Sequence, residues 1–523
     1  MNDKHDELNL PARELAALVR EKKVSPVEVV EAALRRIEAN KHLNAFITVT
    51  ADAAMEAAKV AEQQVMAGAP LGPLHGVPYS VKDLTLTAGV RTTMGSAIFA
   101  DFVPQEDAVA VARSKAAGAI LLGKTTTPEF GAKQSTDAPI FGRTLNPINP
   151  AFTCGASSGG AAVAVATGMG AIALGSDGGG SIRIPASCCG IVGLKATLGD
   201  IANLQPADLF SANSYVGPMA RDVADTRLFY SVLNGPHARD PWGLSLSRLA
   251  QQGGAGQLSR AQQLSRLGQP SMAQQLTGTG QPNQMQRQGG TGQPSMSQQQ
   301  SNTGALFSGL DAVALKGLRV AYMPTCGNRV HHEVKAATDA MARALEQAGA
   351  IVEEVSLDFV ALEQHFLVIL ESMTAARVQP HLARFRAQLD PALVALTERG
   401  LNHTAVALHE AAFARTRCFQ DMQKLFEQYD VLLSPTVSAP PLSIDQDPNG
   451  IVVIDGEPAG TIRGAWYPYT YPMNLTGHPA LSMPCGTSSN GLPIGLQLCG
   501  KWYSEAFLLD LAEQVEGLVQ QMG

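Results

Sequence analysis

Two serines set among glycines and one lysine closing an apolar run are the residues of this chain best suited to chemistry. Ser157 lies in Gly155-Ala156-Ser157-Ser158-Gly159-Gly160, and Ser181 follows Asp177-Gly178-Gly179-Gly180. Glycine adopts positive φ and lets the backbone approach a ligand closely. Gly178, Gly179 and Gly180 can therefore aim several N–H groups at one point, as an oxyanion formed in a transition state requires. A serine hydroxyl becomes a useful nucleophile only when a base takes its proton. Lysine can be that base where burial disfavours its charged form. Lys82 ends the apolar stretch Val77-Pro78-Tyr79-Ser80-Val81 and is placed for such burial. The reading is a serine acyl-transfer site, with Ser181 as nucleophile, Ser157 relaying its proton to Lys82, and Ser158 in support. The non-catalytic alternative for Lys82 is an ion pair with Asp83 or another acid. Asp177 and Arg183 flank Ser181 and are read as a structural pair.

Two other motifs compete. Gly155-Ala156-Ser157-Ser158-Gly159 fits the GxSxG nucleophile elbow of α/β-hydrolases, which would make Ser157 the nucleophile and needs a late histidine. His478 is available, but nothing around it marks a catalytic loop, and no HGGG-type oxyanion segment is present. Gly118 to Thr125 matches the P-loop expression GxxxxGK[ST], but its variable residues are Ala-Ile-Leu-Leu, a strand where the motif needs a phosphate-cradling loop.

The elements that must position these residues alternate. Helical periodicity covers 10–22, and Ser25-Pro26-Val27-Glu28 forms a capping box opening a helix to about Asn40. A third helix spans 51–67. A strand follows at 77–82, a helix at 107–117, a strand at 119–122, and a turn into another helix at 123–130. After Ser157 a helix at 160–167 leads to a strand at 171–175. Residues 315–355 read strand, helix, strand; two helices fill 360–428; strands follow at 430–434, 479–485 and 495–498. This alternation predicts an α/β fold, a single large domain with a central mixed β-sheet flanked by helices. Its parts are a helical stretch at 1–70, a catalytic core at 71–240 and a C-terminal part at 315–523. Between them, residues 250–303 repeat Gly-Gln every twelve residues and are rich in Gln, Gly and Ser, a low-complexity insert.

Composition narrows the partners. The formal charge is −7 without a basic run, which argues against nucleic acid. The N-terminus lacks a basic region followed by an apolar one, so no secretory signal is expected. Gly159 to Ser176 is uncharged but rich in Ala and Gly, and reads as buried core, not as a membrane span. Seven scattered cysteines without CxxC spacing fit reduced buried thiols in a cytoplasmic protein. His331 and His332 are adjacent, not at ligand spacing, so no metal is expected, and no cofactor.

Several blocks resemble the amidase signature family, in its order: LGPLHGVPYSVKD, GAILLGKTTTPEFG, GASSGGAAVAVATG, GSDGGGSIRIPASCCGIVGLK, VGPMARDV and WYPYTYPMNLTGHPALSMPCG. The resemblance covers about residues 10–240 and 315–516. It implies a Ser-cisSer-Lys triad mapped onto Ser181, Ser157 and Lys82, with the Ala156–Ser157 peptide cis and Ser181 forming an acyl-enzyme. It implies hydrolysis of a small-molecule amide to an acid plus ammonia or amine. The chain departs from the family at Ala156, often glycine, and at Gly178, often threonine. Trp466, Tyr467, Tyr469 and Tyr471 are candidates to line the acyl pocket. The competing role is that of the A-type component of the glutamine-dependent tRNA amidotransferase. The segment after Gly193-Leu194-Lys195 lacks that component's tyrosine- and glycine-rich pattern and is closer to stand-alone amidases. A homodimer is compatible with everything above.

Overall fold

Side chains alternate across a strand, so the central strands here serve two cores at once. The computed structural model describes residues 9–211, 213–243 and 313–522; the repeat at 250–303 lies outside them. In chain order the strands are β1 (Phe46–Val49), β2 (Pro78–Lys82), β3 (Ile120–Thr125), the hairpin pair β4 (Asp137–Ala138) and β5 (Gly142–Arg143), β6 (Ile172–Asp177), β7 (Val192–Lys195) and β8 (Tyr215–Ala220). Then come β9 (Arg319–Tyr322), β10 (Ile351–Glu354), β11 (Val431–Pro435), a second hairpin pair β12 (Val452–Ile454) and β13 (Glu457–Gly460), β14 (Ala480–Thr487) and β15 (Pro493–Cys499). Eleven of them form one mixed sheet in the order β1-β3-β2-β6-β8-β7-β14-β15-β11-β9-β10. Pairing is parallel across β3-β2-β6 and across β11-β9-β10, and antiparallel elsewhere. The halves of the chain before and after the repeat meet where Leu194 of β7 pairs with Leu481 of β14.

Tyr79 and Val81 of β2, with Ile172 and Leu174 of β6, join a core shared with helices Ala12–Arg20, Val223–Leu233 and Glu505–Met522. Ala173 of β6 faces the opposite core, built with helices Pro26–Ala39, Ala51–Met66 and Gly159–Ala166. The pleat that buries Tyr79 and Val81 therefore turns Ser80 and Lys82 toward that second side. A third cluster joins Ile184 to Phe366, Ile369, Ala411 and Tyr467, so the long helices Glu363–Phe385 and Ala405–Gln428 close over the end of the sheet.

Local chemistry explains most boundaries. Ser25 Oγ accepts from Val27 N at 3.0 Å while Ser25 N donates to Glu28 Oε2 at 3.0 Å, the expected capping box, with Pro26 in the first helical position. Two expectations fail. At 123–130 there is no full helix: β3 runs on to Thr125, and only one tight turn, Glu129–Gly131, follows Pro128, with Phe130 at φ 52°. Residues 360–428 hold three helices, not two, because Asp390 accepts from Ala392 N and Pro391 opens a separate helix, Pro391–Leu401.

Helix Gly159–Ala166 carries only small side chains and lies directly against other backbone. A Cβ on Gly160 would sit 2.3 Å from Thr126 Oγ1 and 2.6 Å from the carbonyl oxygen of Ala45. Gly160→Ala is expected to destabilise the protein by about 1–3 kcal/mol in urea denaturation, the cost of overpacking. Gly170→Ala, whose methyl would meet nothing closer than 3.6 Å, should change stability by less than about 1 kcal/mol.

Candidate active site

In open α/β sheets, ligands gather beyond the carboxyl ends of parallel strands. β2 and β6 are parallel neighbours, with Ser80 opposite Ala173 and Val81 opposite Leu174. Lys82 at the end of β2 therefore stands beside the turn that leaves β6 and carries Ser181. Its Nζ is 2.7 Å from Ser157 Oγ and donates to the carbonyl of Ser176 at 3.2 Å. Lys82 is completely buried, and burial pulls its pKa from the ordinary 10.5 down to about 7, with the Asp177 charge opposing the fall. The Ala156–Ser157 peptide is cis. Ser158 N donates to Ser181 O at 3.0 Å, and Ser158 Oγ donates to Ser176 O at 3.0 Å, so the two serine loops are tied together. Ser157, Gly178, Gly179 and Ser181 all line one cavity of about 600 Å³.

Asp177 and Arg183 are wholly buried and form the expected pair. Arg183 Nε reaches Asp177 Oδ2 and Nη2 reaches Oδ1, both at 3.0 Å. Asn474 Nδ2 also donates to Asp177 Oδ1, at 2.9 Å. Burial alone would raise the Asp177 carboxyl, but Arg183 and these hydrogen bonds hold it well below the usual carboxylate range. The same carboxylate takes Gly180 N at 2.7 Å and Ile182 N at 3.1 Å. The sequence places Gly180 among the donors facing an oxyanion; in the structure its N–H is committed to Asp177, and Gly180 is not among the residues lining the cavity. Only Gly178 and Gly179 of the three glycines open to the cavity. Gly180 has φ +121°, and a Cβ there would meet Thr470 Oγ1 at 2.4 Å. Thr470 Oγ1 itself donates to Gly179 O at 2.7 Å and steadies the turn.

Other candidates lie elsewhere. Asp83 does not pair with Lys82; its Oδ2 accepts from Thr93 N at 2.9 Å. Of the four aromatic candidates, only Tyr467 reaches the cavity. Trp466, Tyr469 and Tyr471 are core residues whose polar atoms bond the carbonyls of Ala439, Pro324 and Phe359. His478 is buried among Phe419, Phe426 and Trp502, its pKa pulled down to about 3 by burial. Gly118 to Thr125 forms a turn and β3, not a phosphate loop. His331 and His332 do share Asp455, a contact that no local spacing announces, but His331 Nδ1 already accepts from Glu333 N. Three arginines at the cavity, Arg377, Arg415 and Arg463, escape the sequence analysis because C-terminal elements without a motif bring them there.

A family model described as Amidase matches residues 28–260 and 293–509. The chain belongs to the amidase signature family. This amidase, a hydrolase acting on amide carbon–nitrogen bonds, is 32% identical to an acylamidase of Rhodococcus erythropolis, over 97% of this chain and 95% of the relative. It is 33% identical to the A-type component of a glutamyl-tRNA(Gln) amidotransferase from Synechococcus sp. (strain CC9605), over 95% and 94% of the two chains. Among solved structures, it resembles a bacterial aryl acylamidase of the same family at 27% identity and a TM-score of 0.79, covering 97% of this chain and 96% of that one. Among the amidase's described residues no helix is long and apolar enough to cross a membrane.

Removing one partner of a buried ion pair leaves the other charge uncompensated. Arg183→Ala in this amidase is expected to cost about 3–5 kcal/mol of stability, read by chemical denaturation.

Proposed function

We propose that this amidase hydrolyses a carboxylic amide through an acyl-enzyme on Ser181, with Ser157 as proton relay and Lys82 as base. The observation that carries the reading is the 2.7 Å contact between Lys82 Nζ and Ser157 Oγ, made by a buried lysine with a pKa of about 7. With Lys82 neutral, Ser157 gives its proton to Nζ and takes one from Ser181 Oγ as that oxygen attacks the amide carbonyl carbon. The carbonyl oxygen becomes an oxyanion facing the N–H groups of Gly178, Gly179 and Ser181. The proton on Lys82 then returns through Ser157 to the leaving nitrogen, and the carbon–nitrogen bond breaks. Water attacks the ester by the same relay in reverse, giving the acid and free Ser181.

A second reading has support in the 33% identity to the amidotransferase component: a chain that acts only within a complex. The acylamidase relative and the aryl acylamidase structure support the stand-alone reading. Release of ammonia or amine by the isolated chain from a panel of aliphatic, aromatic and peptide amides separates them. Turnover by the chain alone is expected; none across the panel would favour the amidotransferase role.

Ser181→Ala should lower kcat by at least about a thousandfold with the far-UV spectrum unchanged. Retention of more than a small fraction of activity would remove Ser181 as nucleophile. Protonated Lys82 cannot accept a proton, so kcat/KM should rise with pH along a limb centred near its pKa of about 7. A profile flat from about pH 5 to 9 would contradict the neutral-lysine base.

A further inference from the structure

The chain carries a net charge of −7, yet the cavity holding Ser181 runs the other way. Its walls are largely apolar, with Leu84, Phe130, Ile184, Phe366 and Ile369 among them. Arg377, Arg415, Arg463 and Lys133 reach it, against Asp208 as the one acid among the described lining residues. Lys133 is already neutralised by Asp137 and Asp390. Arg463 is held by Gln134: with its amide turned so that the oxygen faces the guanidinium, that oxygen accepts from Nε at 3.3 Å and Nη2 at 2.7 Å. Asp208 accepts in its own loop from Phe210 N at 2.9 Å and Ser211 N at 3.2 Å, and its charge acts on Arg415 without reaching ion-pair distance.

Arg377 and Arg415 differ from these: neither makes an ion pair among the described residues. Arg377 lies over the Phe130 ring at 5.3 Å, with Nη2 3.8 Å from Met94 Sδ. Arg415 is the sharper case, because its Nε is buried and has no hydrogen-bond partner. Leu408, Ala412 and Arg415 of helix Ala405–Gln428 share one face, and all three line the cavity. A guanidinium stays charged even when buried, and a buried donor left unmet is costly. Its planar fork matches a carboxylate, which can accept two parallel N–H bonds.

Resting on the acyl-transfer reading of Ser181, we infer that the amide this enzyme cleaves carries a carboxylate at the end away from the scissile bond, received by Arg415. The apolar residues of the cavity wall take the carbon chain. A neutral amide would fill the same walls and leave the buried Arg415 Nε without an acceptor.

The test compares an ω-carboxyalkyl amide, the monoamide of a linear dicarboxylic acid, with the uncharged alkyl amide of equal length. Wild-type enzyme is expected to favour the carboxylate by at least about tenfold in kcat/KM, mainly through KM, and less so as salt rises. Arg415→Gln should cut that ratio about tenfold, and Arg415→Lys should keep part of it. Equal kcat/KM for the two amides in the wild type, or an unchanged ratio in Arg415→Gln, overturns the inference. Should Arg415→Gln not fold, inhibition of the wild type by the free dicarboxylate against the monocarboxylate of equal length decides, and equal inhibition overturns it. Fluorophosphonate labelling keeps the two readings apart. Ser181 labelled with no carboxylate preference overturns only the anionic substrate; Ser181 unlabelled overturns the nucleophile beneath it.

Discussion

A carboxylate buried at the end of a strand keeps its charge only if the surroundings answer it, and around Asp177 they do so from three stretches of chain. The turn itself supplies Gly180 N and Ile182 N, helix Arg183–Cys189 supplies the guanidinium, and Asn474 supplies an amide. Arg183 is satisfied in turn by Gln497 Oε1 at 2.8 Å and Asn474 Oδ1 at 2.7 Å. With Asp177 and Arg183 held in this way, the turn leaves Gly178, Gly179 and Ser181 toward the cavity. A network of this kind tolerates little change, because a half-satisfied buried polar group costs more than an apolar one.

The same interior contains three fully buried lysines, Lys82, Lys124 and Lys195, and burial brings each to about 7. Low pKa alone therefore does not distinguish them. Their partners do. Lys124 is surrounded by threonines, donating to Thr87 Oγ1 at 2.9 Å and Thr92 Oγ1 at 3.0 Å. Lys195 stands over the Tyr215 ring at 3.8 Å and donates to the Ala196 carbonyl. Lys82 alone of the three meets a hydroxyl that opens onto the cavity, at Ser157.

Much of this was legible in the sequence because the residues concerned are local and their types constrain them. Glycine-flanked serines, the capping box at Ser25 and the apolar run ending on Lys82 each carry their meaning within a few positions. What stayed hidden depends on distance along the chain. Nothing near Gly180 says that its N–H belongs to Asp177, since a glycine run reads the same whether it faces inward or outward. Trp466, Tyr469 and Tyr471 look like pocket residues in a string of aromatics, but their fate follows from which carbonyls lie behind them. Arg377 and Arg415 sit on helices whose pattern reveals an apolar stripe and not what that stripe covers. The third helix between 360 and 428 is the exception, a local signal passed over, because Asp390-Pro391 announces it.

The partners of Asp177 and Arg183 come from positions 474 and 497, near the far end of the chain, and β7 finds β14 only there as well. During synthesis, Ser181 leaves the ribosome roughly 300 residues before the groups that set its turn. The turn that carries Ser181 is therefore completed only by the last strands. A cut that let the two halves part would leave Asp177 and Arg183 without Asn474 and Gln497.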